Sequence, residues 1–477
     1  RAAACDDAGT FTMSRRENEF LLNRRSFLGL AGGGLGCLAL THLLALEGPA
    51  GSGRAAVRAV NPLAPKPPHF KPKARSVICL FQHGGPSQIE TFDPKMTAPT
   101  GIHSINGEVQ TALPGVTFGA TYPKLAQLAE KLTVVRSFVT GDGNHDIKPI
   151  VSADTLKANL GSLYARVAGT VNPQTGMPVN AALFPQAINP QAQAMQTGFG
   201  RFTDAGALGA SYAPFMPGSD GPFQESLKLT LPRERLDDRR KLRQEFDRIR
   251  RTVDVRGAAE GLDKFQEQAL DTILRGISEA FDLSKEDPKT IARYDTAPLI
   301  RPEDIDKKLN NYKFYTDHTQ TLGKLLLLSR RLCEAGCRFV TVTTNFVWDN
   351  HADVNNAGVE EGMKYCGVPF DHAVSAFIED VEARGLSDKI LLVCCGEMGR
   401  TPRINARGGR DHWGNLAPLL LSGGGLPMGR VIGQSTRDAG EPNSDKVTIR
   451  NLIGTIMHTL LDVGEARLQR NLPFDLA

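Results

Sequence analysis

The chemistry of this sequence is concentrated where apolar segments give way to acids and histidines. Residues 390–395 have the length of a strand buried on both faces, and Glu397 follows them between two glycines. Asp411 and His412 come a little later, after a glycine pair. Carboxylate oxygens and imidazole nitrogens together suit a metal ion or a polar ligand. The alternative is that Glu397 pairs with a nearby arginine and only shapes a turn.

A second acid–histidine pair follows another apolar segment, residues 338–344. Asp349 and His351 stand two positions apart, so an extended loop would point both side chains the same way. Such a pair suits one metal ion or one polar ligand. Hard carboxylate oxygens mixed with imidazole nitrogens favour zinc, manganese or iron over calcium, which prefers oxygen alone.

His83 and the loop of residues 140–146 complete the candidates. His83 follows the apolar segment 76–82 and precedes two glycines, so it could reach a ligand or a metal, or be a satisfied structural group. The loop carries the hydroxyl of Thr140 and the imidazole of His145, and it could provide a nucleophile or a metal ligand. Its Asp, Gly and Asn content equally fits a turn without chemistry.

All of these residues come directly after predicted strands. Strands alternate with amphipathic helices over residues 317–423, which predicts an α/β fold with a mostly parallel sheet and helices on both faces. Because ligands bind beyond the carboxyl ends of parallel strands, we expect the candidates to converge in one crevice. Residues 229–290 have helical spacing between many charges and predict a helical insertion.

The composition bounds the function without naming it. The chain has 477 residues, enough for one large α/β domain with insertions or for two domains. A net charge of +4, with no basic stripe among aromatic residues, gives no indication of nucleic-acid binding. The eight cysteines lack the spacing of a zinc finger or a disulfide framework, so we expect them in the core.

Residues 1–74 predict an export signal and a linker, with Met13 as the natural initiator. Arg24 and Arg25 precede a Gly/Ala/Leu run, which is typical of a twin-arginine signal. A membrane-spanning helix is the alternative, but the glycines in the run make it a poor span. Cys37 gives a partial lipobox and leaves a lipid anchor open. We therefore predict a periplasmic or extracellular protein without a stable membrane span after signal removal.

Four segments together resemble the domain-of-unknown-function family fifteen-oh-one. They are, in order, FQHGGPSQIETFDPK, EAGCRFVTVTTNFVWDNHADV, GEMGRTPRIN and GGRDHWG. The resemblance extends over most of the chain, so residues 75–477 are expected to form one domain. This family is similar to the alkaline phosphatase and sulfatase superfamily and is typical of planctomycete-type bacteria, usually with twin-arginine signals.

The resemblance implies an alkaline-phosphatase-like fold with one or two divalent metal ions between strand-end acids and histidines. Such proteins cleave phosphate or sulfate esters through a Ser, Thr or formylglycine nucleophile. This sequence differs in having a histidine for the first-strand aspartate, one glutamate for an Asp-His pair, and no nucleophile motif. By position in the motifs, the implied metal ligands are His83, Asp349, His351, Glu397 and His412.

Two hypotheses follow. The first is an exported metal-dependent hydrolase of phosphate or sulfate esters, in which Arg400 or Arg410 binds the anionic group through its planar guanidinium. Thr140 is its candidate hydroxyl, and Asp411 and His145 would orient ligands. The second is a non-catalytic exported protein that binds a sulfated or phosphorylated polymer, such as a sulfated polysaccharide. The missing nucleophile favours the second, whereas the cost of unpaired buried charges disfavours it.

Overall fold

The computed structural model describes residues 73–218 and 278–463. The export segment and most of the predicted insertion therefore lie outside the described residues. The end of the insertion contains α3 and the start of α4. The helices of the described ranges are α1 (Pro123–Gln127), α2 (Leu160–Ala168), α3 (Ser278–Phe281), α4 (Pro288–Tyr294), α5 (Tyr312–Glu334), α6 (Val359–Ala383) and α7 (Ile449–Leu460).

The strands are mostly short, and seven of them form the main sheet in the order β12-β4-β11-β8-β1-β7-β6. The strands of the described ranges are β1 (Ser76–Phe81), β2 (Glu108–Gln110), β3 (Thr117–Gly119), β4 (Thr133–Val135), β5 (Phe138–Val139), β6 (Asn180–Leu183), β7 (Phe339–Thr343), β8 (Ile390–Cys395), β9 (Gly399–Arg400), β10 (His412–Trp413), β11 (Leu419–Gly423), β12 (Arg430–Ile432) and β13 (Val447–Thr448). Only β11 runs antiparallel to its neighbours in the main sheet, which confirms the predicted mostly parallel arrangement.

The register of the central strands brings the candidate loops together. Phe81, the last residue of β1, is paired with Thr343 at the end of β7 and with Cys395 at the end of β8. The three strands therefore end at one level, and the chain segments that follow them start side by side. This places the loops that begin near His83 and Glu397 at the same edge of the sheet.

Side chains of β1 alternate between two hydrophobic layers. Ile78 and Leu80 pack in the layer that includes buried residues of α5 and α6. Val77, Cys79 and Phe81 pack in the opposite layer, which includes buried residues of α2 and α7. The predicted helices on both faces of the sheet are thus confirmed. In the described part of the chain, no helix has the length and apolarity needed to cross a membrane.

The segment 132–139, predicted as one strand, is divided in two. β4 belongs to the main sheet, whereas β5 leaves it and pairs with β13. Between them, Arg136 donates from Nε to the carbonyl of Phe92 at 2.9 Å and from Nη2 to that of Thr117 at 3.0 Å. These contacts hold the segment between β4 and β5, and the loop that contains Thr140 and His145 follows β5.

Helix α5 begins earlier than its sequence pattern indicates. We expected Asp317 to cap it, but the helix starts at Tyr312, and the Asp317 carboxylate instead accepts the backbone N–H of Gln193 at 2.7 Å. Gly336 follows the helix end with φ of +108°, the left-handed conformation expected of a glycine that ends a helix.

Candidate metal centre

Three histidines and one aspartate converge beyond the carboxyl edge of the sheet. His145, Asp349, His351 and His412 each offer one ligand atom, and these atoms all lie within 4.8 Å of one another. His145 comes from the loop after β5, and Asp349 and His351 come from the loop after β7. His412 opens β10, where it is paired with Arg400 of β9. Three separate segments of the chain thus deliver four ligand residues to one point.

Asp349 Oδ1 is the centre of this cluster. It lies 3.0 Å from Nε2 of His351, 3.4 Å from Nε2 of His412 and 3.6 Å from Nε2 of His145. Tetrahedral ligands at zinc-like bond lengths are separated by about 3.3 Å, which these three separations approach, whereas Nε2 of His351 and Nε2 of His412 lie closer, at 2.7 Å. The donor set also suits zinc, manganese or iron.

Glu397 lies behind His145. Its Oε1 is 2.9 Å from Nδ1 of His145 and also accepts the backbone N–H of Gly84 at 2.8 Å. A carboxylate on the far nitrogen fixes the tautomer of a ligand histidine, with Nε2 left facing the cluster. The sequence prediction made Glu397 the ligand and His145 the orienting residue, and the geometry places them the other way round. His145 was recognisable only as one polar residue of a turn-like loop.

Asp411 contacts the far nitrogen of His351, as Glu397 contacts that of His145. The sequence analysis predicted this orienting role for Asp411. Its Oδ1 lies 3.1 Å from Nδ1 of His351. Asn405 donates from Nδ2 to the same oxygen and to the backbone carbonyl of His351, each at 3.1 Å. Gly409 allows this close packing, because a Cβ there would lie 2.2 Å from the carbonyl carbon of His351.

The charge of Asp349 is balanced by Arg400. Nη2 of Arg400 donates to Oδ1 at 2.5 Å, and Nδ2 of Asn356 donates to Oδ2 at 3.0 Å. Burial would raise the pKa of Asp349, but Arg400 and the facing imidazoles outweigh it and hold the pKa well below its usual range. The carboxylate is therefore ionised, and a carboxylate oxygen that accepts from Arg400 keeps a second lone pair for another ligand.

Burial and charge also set the other protonation states. Burial lowers the pKa of His145 to about 3, so its imidazole is neutral and has a lone pair to offer. The hydrogen bond between His351 and Asp349 raises the pKa of His351. Burial raises the pKa of Glu397 to about 7. A neutral imidazole is the form that binds metal.

Both predicted anion-binding arginines are bound inside the protein. Besides Asp349, Arg400 donates from Nε to the carbonyl of Gly85 at 2.8 Å and from Nη1 to that of Arg410 at 3.2 Å. Arg410 pairs with buried Glu90 at 2.8 Å, and its remaining donors reach backbone carbonyls of the chain. Because these contacts use their guanidinium groups, we assign both arginines to holding the loops rather than to binding an anion.

Thr140 and His83 lie next to the centre but outside the group of four. The hydroxyl of Thr140 donates to the backbone carbonyl of Gly414 over 3.5 Å. The ring of His83 is buried and edge-on to Phe202 and Phe346, with centroids 5.7 and 5.1 Å away. Within the described residues its Nε2 has no hydrogen-bond partner. His83 thus forms part of the apolar wall behind His145.

The fold and the site together define a class of protein. It is an α/β protein with an acid–histidine cluster at the carboxyl edge of a mostly parallel sheet. The chain belongs to the family described as "Protein of unknown function (DUF1501)", whose model matches residues 74–470. The four motifs therefore identified the family correctly. No curated protein matches the chain in sequence.

Among solved structures, the chain is similar to "Ps i-CgsB in complex with k-i-k-neocarrahexaose", with 10% identity, coverage of 84% of this chain and 74% of that chain, and a TM-score of 0.35. It is also similar to "PsFucS1 sulfatase from Pseudoalteromonas sp.", with 12% identity, coverage of 77% and 66%, and a TM-score of 0.33.

Proposed function

We propose that His145, Asp349, His351 and His412 bind one divalent metal ion, and that the protein is an exported metal-dependent hydrolase of phosphate or sulfate esters. The observation that carries the proposal is the convergence of three imidazole nitrogens on one ionised carboxylate oxygen. Zinc, manganese or iron fits this donor set better than calcium does.

The residues behind the cluster support the same proposal. Glu397 and Asp411 contact the Nδ1 atoms of His145 and His351, at 2.9 and 3.1 Å. Two histidines with carboxylates on their far nitrogens present Nε2 lone pairs to one point, which is the usual arrangement around a protein-bound metal.

The accessible side of the cluster is where a substrate would bind. The side chains of His351 and His412 are 18% and 33% exposed, whereas those of Asp349 and Glu397 are 7% and 0% exposed. A divalent ion bound there would act as a Lewis acid on an ester oxygen. Since none of the four clustered residues carries a hydroxyl, we assign the nucleophile to water, which such an ion could activate.

Metal content tests the first half of the proposal. We expect about one equivalent of a divalent ion in the wild type by elemental analysis, after loading and desalting. Asp349→Ala and His412→Ala should each weaken binding by about a hundredfold or more in a chelator competition, since even changes behind a ligand cost ten- to a hundredfold. His372→Gln is the matched control, because His372 lies outside the cluster and contacts Lys124. A wild type without bound metal after loading would overturn the proposal.

An ester panel tests the second half. Phosphate monoesters, phosphate diesters and sulfate esters are assayed with the loaded wild type, and with His412→Ala as the control for contaminating activity. Turnover of any ester that depends on His412 supports a hydrolase.

The alternative is a non-catalytic protein that binds a sulfated or phosphorylated polymer. One observation favours it: none of the four clustered residues carries a hydroxyl or a thiol that could act as a nucleophile. Metal binding without turnover, together with saturable binding of dextran sulfate, would support this function instead of the hydrolase.

A further inference from the structure

A single phenylalanine stands exposed beside the proposed metal centre. Phe199 is 36% exposed, and its ring centroid lies 5.0 Å from that of His145. Its ring stacks on Phe346, with centroids 4.9 Å apart and an angle of 30° between the planes. Phe346 is only 6% exposed and is itself edge-on to His145 at 4.7 Å. The two rings form an apolar wall that ends at a ligand histidine.

The loop that carries Phe199 is built to present this ring. Gly198 and Gly200 flank it, and the N–H of Gly198 donates to the side-chain oxygen of Gln196 at 2.9 Å. Gly200 has φ of +128°, a conformation that side chains rarely adopt, and a Cβ there would lie 2.9 Å from Ile147. The backbone therefore turns at Phe199, with the N–H of Gly200 donating to the carbonyl of Thr197 at 3.2 Å, and leaves the ring partly exposed.

Such exposure has a cost that a ligand would remove. Leaving part of a large apolar side chain in water forgoes the corresponding share of the free energy of burial. The other exposed large hydrophobic residues of the described chain are aliphatic, namely Met96, Ile105, Val354 and Ile432. An exposed aromatic ring next to convergent polar groups is typical of a ligand pocket.

The opposite side of the centre is polar. His351 carries Asp411 on its outer nitrogen, and Asn405 donates to Asp411. Asp411 is itself anionic and does not attract an anion, so a ligand with one anionic end and one apolar ring would be oriented by the proposed metal ion and by Phe199. Its anionic end would face the histidines, and its ring would lie on Phe199.

We propose that Phe199, backed by Phe346, is the subsite for the ring of the ester's alcohol portion. This inference rests on the proposed function and narrows its substrate class to esters of ring-bearing alcohols. The ring is either aryl or a sugar, and the shared chemistry is an apolar ring face that stacks on an aromatic side chain.

Binding of non-hydrolysable ligands tests the subsite separately from catalysis. Dissociation constants of phenylphosphonate and methylphosphonate are measured by calorimetry on the metal-loaded full chain. We expect the wild type to prefer phenylphosphonate by about five- to tenfold, the range of one stacking contact. Phe199→Ala should abolish the preference for phenylphosphonate without changing metal content. Phe199→Trp, which keeps an aromatic ring at this position, should retain the preference. Ile432→Ala is the control, since Ile432 is 39% exposed but belongs to β12, at the edge of the main sheet.

The outcomes separate the subsite from the hydrolase. A phenyl preference that Phe199→Ala removes supports the subsite, even if no ester is turned over and the hydrolase proposal fails. Equal affinities of the wild type for phenylphosphonate and methylphosphonate would overturn the subsite. A phenyl preference that survives in Phe199→Ala would also overturn it. A glucosyl C-phosphonate, which has no ester bond, is the third ligand: a gain that depends on Phe199 assigns the ring to a sugar, and its absence beside a phenyl preference assigns it to an aryl group.

Discussion

His145 and Glu397 are 252 positions apart in sequence, yet Nδ1 of one lies 2.9 Å from Oε1 of the other. This contact joins the loop after β5 to the loop after β8. Glu397 is fully buried, and Gly84 donates its N–H to the same oxygen. The glutamate therefore fixes the imidazole that faces the cluster and takes no place in the group of four.

Glu397→Gln tests this positioning role. The amide oxygen can still accept from Nδ1 but is a weaker acceptor than a carboxylate, so we expect metal affinity to fall by about ten- to a hundredfold with the fold intact. Chelator competition measures the affinity, and circular dichroism checks the fold. Glu441→Gln, at an exposed position, is the control. Unchanged affinity in Glu397→Gln would contradict the role.

Gly84 separates the first strand from the cluster, and no side chain fits there. Its φ is +116°, and a Cβ would lie 2.5 Å from the backbone nitrogen of Asp349. We expect Gly84→Ala to lower the free energy of unfolding by about 3 kcal/mol or more and to weaken metal binding, because Asp349 must move. Gly115→Ala is the matched control: φ is +74°, but nothing lies within 4 Å.

The control should cost only the backbone strain, about 1–2 kcal/mol, with metal binding unchanged. Urea denaturation measures the loss in free energy of unfolding for Gly84→Ala and for Gly115→Ala, and chelator competition measures metal binding. Equal losses in the two variants would mean that the backbone conformation matters at Gly84 and the close approach to Asp349 does not.

Arg400 is the partner of the buried charge on Asp349. Removing it in Arg400→Met leaves that charge uncompensated, so we expect a loss of about 3–5 kcal/mol in the free energy of unfolding of the metal-free protein. Arg403→Met, at an exposed position, should cost less than about 0.5 kcal/mol. If Arg400→Met and the control unfold alike, the ion pair does not stabilise this edge of the sheet.

The sequence predicted the sheet well because its central strands are continuous apolar runs. Residues 390–395 form β8 with the bounds that their composition indicates. Edge strand β6, with the sequence NAAL, carries no such signal and was missed. The sequence pattern predicts a helix over residues 370–384, but α6 begins earlier, at Val359, because tertiary packing accommodates its glycines and Pro369 against their local propensity.

The candidate site was predictable in location but not in detail. The rule that ligands gather at strand ends placed Asp349, His351 and His412 together. It could not tell which of His145 and Glu397 faces the centre, because that depends on the break between β4 and β5. The same rule could not show that the guanidinium of Arg400 donates to backbone carbonyls inside the protein, since those carbonyls belong to other parts of the loops.

Export remains a prediction from the sequence. Arg24 and Arg25 before a glycine-rich apolar run predict transport by the twin-arginine route. A reporter fused to residues 13–60 should reach the periplasm, and changing both arginines to lysine should retain it in the cytoplasm. Fractionation of both fusions gives the answer, and equal periplasmic amounts would refute the route.

The pH dependence of stability provides a last prediction, away from the metal centre. His318 is buried in α5, with Nδ1 2.6 Å from the hydroxyl oxygen of Thr344 and Nε2 3.2 Å from the carbonyl oxygen of Cys366. Burial lowers its pKa from 6.5 to about 4 in the folded protein. The unfolded chain therefore binds a proton at higher pH than the folded one, so stability falls as the pH falls from 6.5 towards 4.

His318→Gln keeps a donor and an acceptor at this position but cannot titrate. The 2.5-unit difference between the two pKa values corresponds to about 3 kcal/mol, so the wild type should lose about that much more free energy of unfolding than the variant between pH 6.5 and 4. Urea denaturation at a series of pH values measures both curves. A constant offset from the lost ring contacts does not matter, because only the slopes are compared. Parallel curves would show that His318 does not contribute to the acid sensitivity of the fold.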